Sequence, residues 1–458
     1  MLEGLEISEV NYLKVINDND WHRLDPEYFK KNTIRIIDKI KRGKYKLIGD
    51  CFEVSKLAGF EFTKYFTPKN MESLNNYIAL TSKNIQREQL KLSDYITIDK
   101  VVADTYLSRS KILYEDVVLS YTGEYRRALV MLDKTPYQLG PNICRIRSVS
   151  DSISPYYLSV FLNSNIGQTI LDREKTLSAQ PTVAMSRIRK IPIPIIANQE
   201  RLHEYLRNSF LMVEKAKICY EEAINLLYNN LGLKNGIPKS NLYTVRNFSD
   251  IVSSGRIDAE YYQSKYDYLE EKIKSLSYKT IAELQTFNAR GVQPDYISDG
   301  DVSVVNSKHI LENGLDYDNF EKTSSEFFKH NERARIREND ILIYTTGANI
   351  GRAQPYMLSD FAVASNHVNI LRLEGVNPIY AALLLNSIVG RLQTEKACTG
   401  SAQVELYPAD LEKFLIPILP KEQQESIAEK VKQSFALRTE SKELLEMAKK
   451  KVEDEISS

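Results

Sequence analysis

The chain contains one sequence segment twice. Aligned without a gap, residues 23–50 match residues 256–283, and the matches are spread over the whole segment. The identical pairs are Arg23 and Arg256, Asp25 and Asp258, Glu27 and Glu260, Tyr28 and Tyr261, Lys39 and Lys272, Ile40 and Ile273, Lys41 and Lys274, Tyr45 and Tyr278, Lys46 and Lys279, and Ile48 and Ile281. Two copies of one module imply that each copy performs the same task.

The repeat continues along the chain at slightly changing offsets, as expected when loops change length and the scaffold does not. The later matches are Ser82-Lys83-Asn84-Ile85 with Ser307-Lys308-His309-Ile310, Asp116 with Asp340, Thr122-Gly123 with Thr346-Gly347, Arg127-Ala128 with Arg352-Ala353, Leu162-Asn163-Ser164 with Leu385-Asn386-Ser387, Ser178-Ala179-Gln180 with Ser401-Ala402-Gln403, and Ile193-Pro194-Ile195 with Ile416-Pro417-Ile418. Each copy is therefore about 230 residues long, which suits a domain with an appendage and is too long for a solenoid repeat.

Composition agrees with a globular protein but does not select a function. The chain is 43% hydrophobic and 27% charged with a formal net charge of zero, and a zero sum neither supports nor excludes nucleic-acid binding, which needs only a basic face. The scattered cysteines and histidines lack metal-ligand spacing, so we expect reduced thiols, no metal and no cofactor. Because the chain lacks a secretion signal and a membrane-length apolar run, we expect a cytoplasmic protein.

Each copy predicts a mixture of helix and strand. Asp25-Pro26-Glu27 and Asp258-Ala259-Glu260 have the capping aspartate and the early acid that open helices. Ser154-Pro155 and Asn377-Pro378 combine an N-cap residue with a proline at the first helical position. Short β-branched or aromatic runs between turn residues predict strands at 77–81, 117–120, 142–146, 302–305, 341–344 and 368–373.

Each copy ends in a long stretch rich in Glu, Lys, Leu and Ala that predicts a helix, at residues 198–232 and 421–456. Both stretches contain an apolar seam with heptad spacing, formed by Leu202, Leu206, Ser209, Val213, Ala216, Tyr220, Ala223 and Leu227 in the first and by Ile427, Val431, Ser434, Leu437, Ser441, Leu444, Ala448 and Val452 in the second. The simplest way to bury both seams is an antiparallel coiled coil with the globular units at its opposite ends. The alternative is that each helix packs on its own domain.

Both copies open and close with the same pair of motifs. The opening is Arg-hydrophobic-Asp-x-Glu-Tyr, at residues 23–28 and 256–261. The close is Ile191-Pro192-Ile193-Pro194 with Gln199 in the first copy and Ile416-Pro417-Ile418-Leu419-Pro420 with Gln423 and Gln424 in the second. In this order, over roughly residues 20–456, the plan resembles the specificity subunit of type I restriction-modification systems.

The resemblance implies an α+β fold with two tandemly repeated mixed α/β target recognition domains, joined by two long helices that pack as an antiparallel coiled coil. The expected divisions are an N-terminal lead-in at 1–20, target recognition domain 1 at 21–197, a central spacer helix at 198–232, a linker at 233–255, target recognition domain 2 at 256–420 and a C-terminal spacer helix at 421–456.

The resemblance also implies a non-catalytic subunit. Each domain would read one half of a bipartite site in double-stranded DNA, while the helices set the spacer and dock two DNA adenine methyltransferase subunits and, for cleavage, restriction subunits. No membrane partner is expected. The alternative function is a two-headed protein–protein scaffold without DNA readout.

The chain does not supply the motifs of the enzymes that act on DNA. Asn377-Pro378-Ile379-Tyr380 lacks the second proline of an amino-methyltransferase loop, and helix capping explains it better. Pro294-Asp295 is followed by Asn306-Ser307-Lys308, which lacks the second metal-binding acid of a nuclease. Gly347–Gly351 is not followed by the lysine of a phosphate-binding loop. We therefore expect catalysis to reside in a partner.

Turn segments that recur in both copies supply the candidate DNA contacts. They are Lys83, Asn84, Thr122, Gly123 and Arg127 in the first copy, and Lys308, His309, Thr346, Gly347 and Arg352 in the second. A glycine turn beside hydroxyl and guanidinium donors can approach a phosphate closely, and arginine can also bond the edge of guanine. The alternative is that the glycines form simple hairpin turns and that the lysines are only solvated.

Residues that read bases should differ between the copies when the half-sites differ, so we expect them in the divergent stretches 59–76, 86–111 and 286–300. The basic residues available there and nearby are Arg87, Lys91, Lys100, Arg109, Lys111, Arg126, Arg290, Lys329, Arg333 and Arg335.

Overall fold

The computed structural model describes residues 9–17, 23–87, 89–92, 94–123, 126–238, 240–241, 243–398 and 405–457, and of Lys14 and Asn17 it describes only the backbone. The predicted lead-in at 1–20 lies partly, and Ser401-Ala402-Gln403 entirely, outside these residues. The chain forms two compact units. Unit 1 contains the residues up to Glu214 together with those from Arg438 onwards, and unit 2 contains Lys215–Leu437.

Unit 1 mixes short helices with two sheets. Its α-helices are α1 (Tyr12–Asn17), α2 (Lys31–Arg42), α3 (Ile48–Cys51), α4 (Gly59–Tyr65), α5 (Pro68–Met71), α6 (Lys100–Tyr106), α7 (Pro155–Asn163), α8 (Asn165–Glu174), α9 (Met185–Arg189), the first part of α10 (Leu202–Leu231) and the last part of α18 (Lys421–Ser457). Its strands are β1 (Tyr45–Leu47), β2 (Phe52–Lys56), β3 (Asn76–Leu80), β4 (Ile96–Asp99), β5 (Lys111–Ile112), β6 (Val117–Ser120), β7 (Ala128–Val130), β8 (Tyr137–Leu139), β9 (Ile143–Ser148) and β10 (Pro192–Pro194).

In unit 1 the first sheet has the strand order β2-β9-β6-β7 and is antiparallel throughout. The second sheet has the order β4-β3-β8-β5, in which β3 and β8 are parallel and the other neighbours are antiparallel. A further pair, β1 with β10, brings the start of the unit against the segment that precedes α10.

Unit 2 is built from a similar set of elements. Its α-helices are the last part of α10, α11 (Phe248–Ser254), α12 (Ser264–Lys274), α13 (Ile281–Leu284), α14 (Ser325–His330), α15 (Pro378–Asn386), α16 (Ile388–Cys398), α17 (Pro408–Leu411) and the first part of α18 (Lys421–Ser457). Its strands are β11 (Tyr278–Thr280), β12 (Gln285–Arg290), β13 (Val302–Val305), β14 (Ile310–Leu311), β15 (Gly314–Leu315), β16 (Glu321–Thr323), β17 (Arg335–Ile336), β18 (Ile341–Tyr344), β19 (Ala353–Pro355), β20 (Ala362–Ala364), β21 (Val368–Leu373) and β22 (Leu415–Pro417).

The sheets of unit 2 have the strand orders β12-β21-β18-β19 and β16-β13-β20-β17, and β11 pairs with β22. In the second of these sheets β13 and β20 are parallel and the other neighbours are antiparallel. Position by position, the order and the direction of the strands are those of unit 1. The hairpin of β14 and β15 corresponds in unit 1 to a single antiparallel bridge between Ile85 and Leu90.

The first sheet of each unit separates two hydrophobic cores. In β6, Val117 and Leu119 pack in the core that contains α7, whereas Val118 packs in the core of the second sheet. In β18, Ile341 and Ile343 share a core with α15, whereas Leu342 packs on the opposite face. The pleat directs successive side chains to opposite faces, so a strand with two covered faces reads as a continuous apolar run.

The six predicted strands are confirmed, because they coincide with β3, β6, β9, β13, β18 and β21 to within two residues at either end. The two predicted N-caps are also confirmed. The Ser154 hydroxyl accepts the Tyr156 amide at the start of α7, and the Asn377 side chain accepts the Ile379 amide at the start of α15.

The α-helix expected to open at Asp25 does not begin there. Asp25 does cap the chain, since its Oδ1 accepts the Tyr28 amide at 3.1 Å, but the result is only the 3-10 turn Pro26–Phe29. Lys30 then adopts an extended ψ of 132° before α2 begins. In the second copy, Asp258 Oδ1 accepts the Tyr261 amide in the same way, and the helix starts later, at Ser264.

The repeated Leu-Asn-Ser motif ties a helix to a sheet in each unit. Asn163 at the end of α7 accepts the Ala128 amide at 3.2 Å and donates to the Ala128 carbonyl at 2.7 Å. Asn386 at the end of α15 forms the same two bonds with Ala353, at 2.9 and 2.6 Å. One amide side chain thereby satisfies both backbone groups of a strand residue, which explains why the motif recurs as part of the scaffold.

The two long helices pack on each other within each unit. In unit 1, the Ser209 and Ser441 hydroxyls lie 2.7 Å apart, and in unit 2 the Ser434 hydroxyl donates to the Ala216 carbonyl at 2.7 Å. The predicted seam residues are buried, apart from Tyr220, Leu437 and Leu444, which are half-buried. Among the described residues, no helix is long and apolar enough to cross a membrane.

A buried aspartate forms a bidentate pair with an arginine on the adjacent strand in each unit. Asp116 bonds Arg147 through two 2.7 Å contacts and also accepts the Leu113 amide. Asp340 bonds Arg372 through two 2.7 Å contacts and accepts the Arg337 amide. These carboxylates are 2% and 0% exposed, so their charge depends on the guanidinium partner.

Asp116→Asn and Asp340→Asn should therefore each lower the free energy of unfolding of their own unit by about 3 kcal/mol, because each leaves a guanidinium without its charge partner. Urea unfolding would measure the loss. The control is Glu332→Gln, which removes an acid that is 82% exposed in its pair with Arg335 and should change stability by less than about 0.5 kcal/mol. Equal effects of the three variants would contradict the structural role of the buried pair.

Candidate nucleic-acid interface

In unit 1, two turns that contain candidate residues lie together. The 3-10 turn Ser82–Asn84 follows β3, and Thr122-Gly123 follows β6. Arg127, after the second turn, donates from Nη1 to the Ile85 carbonyl at 3.4 Å. Gly123 has a φ of +75°, which few other residues adopt without strain, and a Cβ there would lie 3.8 Å from the Ser82 hydroxyl. We call residues 82–85 with Thr122, Gly123 and Arg127 turn pair 1.

Unit 2 repeats the arrangement. The 3-10 turn Ser307–His309 follows β13, Thr346-Gly347 follows β18, and Gly347 has a φ of +102°. Arg352 donates from Nη1 to the Ile310 carbonyl at 3.3 Å, as Arg127 does to Ile85. We call residues 307–310 with Thr346, Gly347 and Arg352 turn pair 2. In each unit, candidate residues from distant parts of the sequence thus meet in one place.

Asn84 is completely buried in turn pair 1. Its Oδ1 accepts the Thr81 amide at 2.8 Å, and its Nδ2 donates to the carbonyls of Lys91 and Asp94 at 2.8 and 2.7 Å. The side chain therefore shapes the loop that follows the turn. Its burial argues against the direct DNA contact expected from the sequence, and we assign Asn84 a positioning role.

His309 occupies the equivalent place in turn pair 2 and is 1% exposed. Its Nδ1 accepts the Asn306 amide at 2.9 Å, and its Nε2 lies 3.2 Å from Glu321 Oε2. Burial lowers the pKa of this imidazole, so the neutral form that accepts at Nδ1 is favoured. As with Asn84, burial argues against direct contact, and the residue positions the turn.

The lysines of the turn pairs are exposed and lie beside acids. Lys83 Nζ lies 3.6 Å from Asp94, and its side chain is 76% exposed. Lys308 pairs with Glu321, and its side chain is 64% exposed. Both ammonium groups can therefore reach a phosphate, but each has an acid that competes for it. The repeat does not reveal the two acids, because the copies diverge after the 3-10 turn: Asp94 precedes β4, whereas Glu321 is the first residue of β16.

The hydroxyls of the turn pairs bond within their own unit. Thr122, which is buried, lies 3.1 Å from the Thr182 hydroxyl, and the two residues form an isolated β-bridge. Thr346 Oγ1 lies 2.9 Å from His367 Nδ1, and Thr346 forms a bridge with Glu405. Gly123 and Gly347 are exposed and Arg127 and Arg352 are half-buried, so the outer surface of each turn pair contains a glycine, an exposed lysine and an arginine. In unit 2 the half-buried Ser307 and Thr346 add to this surface.

Several basic residues of the divergent stretches have partners inside their own unit. Their contacts are Arg87 with Gln168, Arg109 with Glu61, Lys111 with Asp104, Arg126 with Asp172, Arg290 with Glu405, Arg333 with the Gly291 carbonyl, and Arg335 with Glu332. Five of these basic residues face an acid, whereas Arg87 and Arg333 bond neutral oxygens. Within the part of the chain that the structure describes, no cluster of histidine, cysteine and acidic residues could hold a metal ion.

Sequence comparison relates this chain to proteins of known type. Residues 272–447 match the family described as "Type I restriction modification DNA specificity domain". Over 353 residues the chain is 22% identical to the "Type I restriction enzyme EcoBI specificity subunit" of Escherichia coli, and the match covers 70% of this chain and 67% of that protein.

Solved structures of the same type align over most of the chain but superpose loosely. The S subunit of a type I restriction-modification system from M. genitalium aligns over 90% of this chain and 95% of its own, with a TM-score of 0.41 and 11% identity. The HsdS subunit from Thermoanaerobacter tengcongensis aligns over 90% and 96%, with a TM-score of 0.28 and 14% identity. Because these superpositions are loose, the relation to proteins of known type rests on the two sequence matches.

The depressed pKa of His309 predicts a pH-dependent stability for unit 2. Because the folded pKa is below the ordinary value of 6.5, the unfolded state binds more protons around that pH, and stability is lost as pH falls through 6.5. We expect the free energy of unfolding of unit 2 to rise more steeply between about pH 5 and pH 7 than in His309→Asn. This variant carries the residue that unit 1 uses at the same place, and an unchanged pH slope would contradict the prediction.

Proposed function

We propose that the chain is the sequence-specific DNA-recognition subunit of a type I restriction-modification complex, because residues 272–447 match the DNA specificity domain of these systems and the chain is 22% identical to a specificity subunit over 353 residues. The specificity subunits of this family are non-catalytic, and the catalytic activities belong to separate modification and restriction subunits. The observation that carries the proposal is the turn pair, which is present once in each unit with the same arginine-to-carbonyl bond.

The two units are proposed to be tandem copies of one target recognition domain, each of which reads one half of a bipartite site in double-stranded DNA. The matching strand orders of the two units support this reading. So do the identical roles of Asn163 and Asn386, which bond a strand residue in the same way. Two copies of one scaffold give a chain two places at which to read the same kind of ligand.

The long helices are proposed to form an antiparallel coiled coil that sets the spacer between the half-sites. Support comes from each unit separately. In unit 1, Asn198 meets Glu455 and Ser209 meets Ser441; in unit 2, Ala216 meets Ser434 and Glu222 pairs with Lys430. Within each unit, higher residue numbers on α10 lie beside lower residue numbers on α18, as expected for antiparallel helices.

The exposed groups of the turn pairs are proposed to contact the phosphate backbone. In unit 1 these are the Lys83 ammonium, the Gly123 backbone and the Arg127 guanidinium; the equivalent groups in unit 2 belong to Lys308, Gly347 and Arg352, and Thr122 and Thr346 support the turns. Groups present in both copies suit contacts that carry no sequence information. Base readout is then assigned to the divergent stretches 59–76, 86–111 and 286–300.

A domain exchange tests the proposal. Replacing residues 256–418, which lie in unit 2, by the corresponding part of another specificity subunit should change one half of the methylated motif and leave the other half intact. Sequencing that detects methylated bases, applied to host DNA, would read both halves in one experiment, with the unaltered chain as control. A motif that does not change, although the complex assembles and methylates, would refute DNA readout by this unit and favour a protein scaffold.

The acid beside Lys308 provides a second test. Glu321→Gln should strengthen binding of the assembled complex to non-specific duplex by about fivefold at low salt, or roughly 1 kcal/mol, because the lysine no longer has a carboxylate competitor. The gain should shrink as salt rises. Glu222→Gln, which makes the same charge change on a long helix, is the control, and an equal gain there would show that the effect is one of net charge alone.

A further inference from the structure

An exposed arginine occupies the same turn in each unit. Arg109 is the middle residue of the 3-10 turn Ser108–Ser110, which precedes β5. Arg333 is the middle residue of the 3-10 turn Glu332–Ala334, which precedes β17. We call these two segments arginine turn 1 and arginine turn 2.

Arginine turn 1 lies at the same edge of its sheet as the 3-10 turn of turn pair 1. β3 is parallel to β8, and Leu80 at the end of β3 pairs with Leu139. β5 is antiparallel to β8 and begins at Lys111, which pairs with Gln138. The turn after β3 and the turn before β5 are therefore separated only by β8, or by about 10 Å at the usual strand spacing. β13, β20 and β17 have the same directions in unit 2.

A buried arginine fixes the backbone of arginine turn 1. Arg145 on β9 is 1% exposed, and its Nη1 donates to the carbonyls of Arg109 and Lys111 at 2.7 and 2.9 Å. Its Nη2 donates to Glu53 at 2.9 Å. Burial of a guanidinium costs free energy, and these bonds offset that cost. The carbonyl of Arg109 is thus held from inside the unit.

A buried carboxylate fixes the guanidinium of Arg109. Glu61 on α4 is 4% exposed, and its Oε1 accepts a bond from Arg109 Nη2 at 2.6 Å. Its Oε2 accepts the Ala58 amide at 2.9 Å, so the carboxylate is itself held in place. The Arg109 side chain is nevertheless 67% exposed, and its Nε and Nη1 bond no described residue. These donors are therefore presented to solvent in a fixed orientation.

Unit 2 holds its arginine with different groups. Residues 291–301, all of which the structure describes, contain no helix that could carry an acid as α4 does. Arg333 Nη2 instead donates to the Gly291 carbonyl at 3.4 Å. The third residue of β21 is Ile370, where the third residue of β9 is Arg145. The arginine is repeated, but the groups that orient it are not.

The acid behind Arg109 decides which part of a duplex suits this side chain. Glu61 compensates the charge of Arg109, so the pair as a whole attracts a phosphate only weakly. A base edge has no net charge, and an oriented guanidinium can donate to both O6 and N7 of guanine in the major groove. The distance of about 10 Å from turn pair 1 is comparable with the groove width of about 12 Å. A duplex whose backbone contacts turn pair 1 can therefore present a base edge to Arg109.

We infer that Arg109 reads one guanine in the half-site of unit 1, with Glu61 and Arg145 as positioning residues. The inference rests on the proposed function, and it names one residue within the stretch 86–111 to which base readout is assigned. Arg333 has a carbonyl rather than an acid as its partner, so it keeps its full charge and contacts the phosphate backbone. The two units thus use one repeated arginine in two ways.

The test uses the complex assembled from the full chain. Its methylated motif gives both half-sites, and the exchange of residues 256–418 identifies the half that unit 1 reads. Duplexes in which each base pair of that half is replaced in turn are then titrated with the complex. The unaltered complex should discriminate against replacement of one G·C pair by about 10- to 100-fold, and Arg109→Ala should lose this discrimination at that pair alone. Glu61→Gln, which removes the orienting charge, should lose part of it.

Two further variants control for charge and for folding. Arg35→Ala removes an exposed arginine from α2, which packs on the other face of the first sheet, and should leave the discrimination unchanged. Because Arg109→Ala leaves the buried carboxylate of Glu61 without its partner, the double variant Arg109→Ala with Glu61→Gln repeats the test without an unpaired buried charge. It should lose the same discrimination as Arg109→Ala.

The remaining outcomes separate this inference from the function on which it rests. Arg333→Ala should weaken binding to every duplex alike and lower the salt dependence by about one phosphate contact. If Arg109→Ala does the same, or if the half-site of unit 1 contains no G·C pair, the inference is overturned and DNA recognition stands. If the exchange of residues 256–418 changes neither half of the motif, the proposed function fails and the inference fails with it.

Discussion

One hydrogen bond in each unit fixes where the chain leaves the domain and enters its long helix. Tyr157 donates to the Pro194 carbonyl at 2.7 Å, and Tyr380 donates to the Pro417 carbonyl at 2.8 Å. Proline has no N–H, so a strand that contains it is held mainly through its carbonyls and its neighbours. Burial raises the pKa of both tyrosines, which keeps the hydroxyls protonated as donors. The bond therefore ties the strand that precedes each long helix to the buried helix α7 or α15 of the same unit.

The glutamine in the closing motif of each copy forms a second tie between the start of the long helix and the rest of the unit. Gln199, in the 3-10 turn that precedes α10, accepts the Ser154 amide at 3.0 Å, and Gln424, in the first turn of α18, accepts the Asn377 amide at 2.8 Å. Each glutamine thereby bonds the N-cap residue of the buried helix in its unit. Repeated residues thus turn out to be mainly scaffold, including the buried aspartates and the asparagines that bond the strands. We therefore propose that recognition that differs between the copies comes from the loops that this scaffold supports.

Sequence reasoning located the strands and caps because those signals are local. An apolar run between turn residues, or an N-cap residue before a proline, needs no knowledge of distant contacts. The turn residues were harder. Asn84 is buried by carbonyls of the loop after it, and no periodic pattern marks that loop, so exposure of the turn could not be read from the sequence. The prediction that a helix opens at Asp25 failed for a similar reason. The sequence shows the capping residue, but it does not show the extended backbone at Lys30 that ends the turn.

The two turn pairs show how such a scaffold tolerates divergence. What the fold requires at this place is one acceptor for a backbone amide: the Asn84 amide oxygen accepts the Thr81 N–H at 2.8 Å, and the His309 imidazole accepts the Asn306 N–H at 2.9 Å. Either side chain meets that requirement, although the two differ in size and only histidine titrates near neutral pH. The acid beside the turn lysine also differs, because it is Asp94 in unit 1 and Glu321 in unit 2. The fold of this module requires a hydrogen-bond acceptor at the turn, but not one particular residue type. The side chains around the turn can therefore change without loss of the fold, and the turns of the two units can diverge toward different ligands.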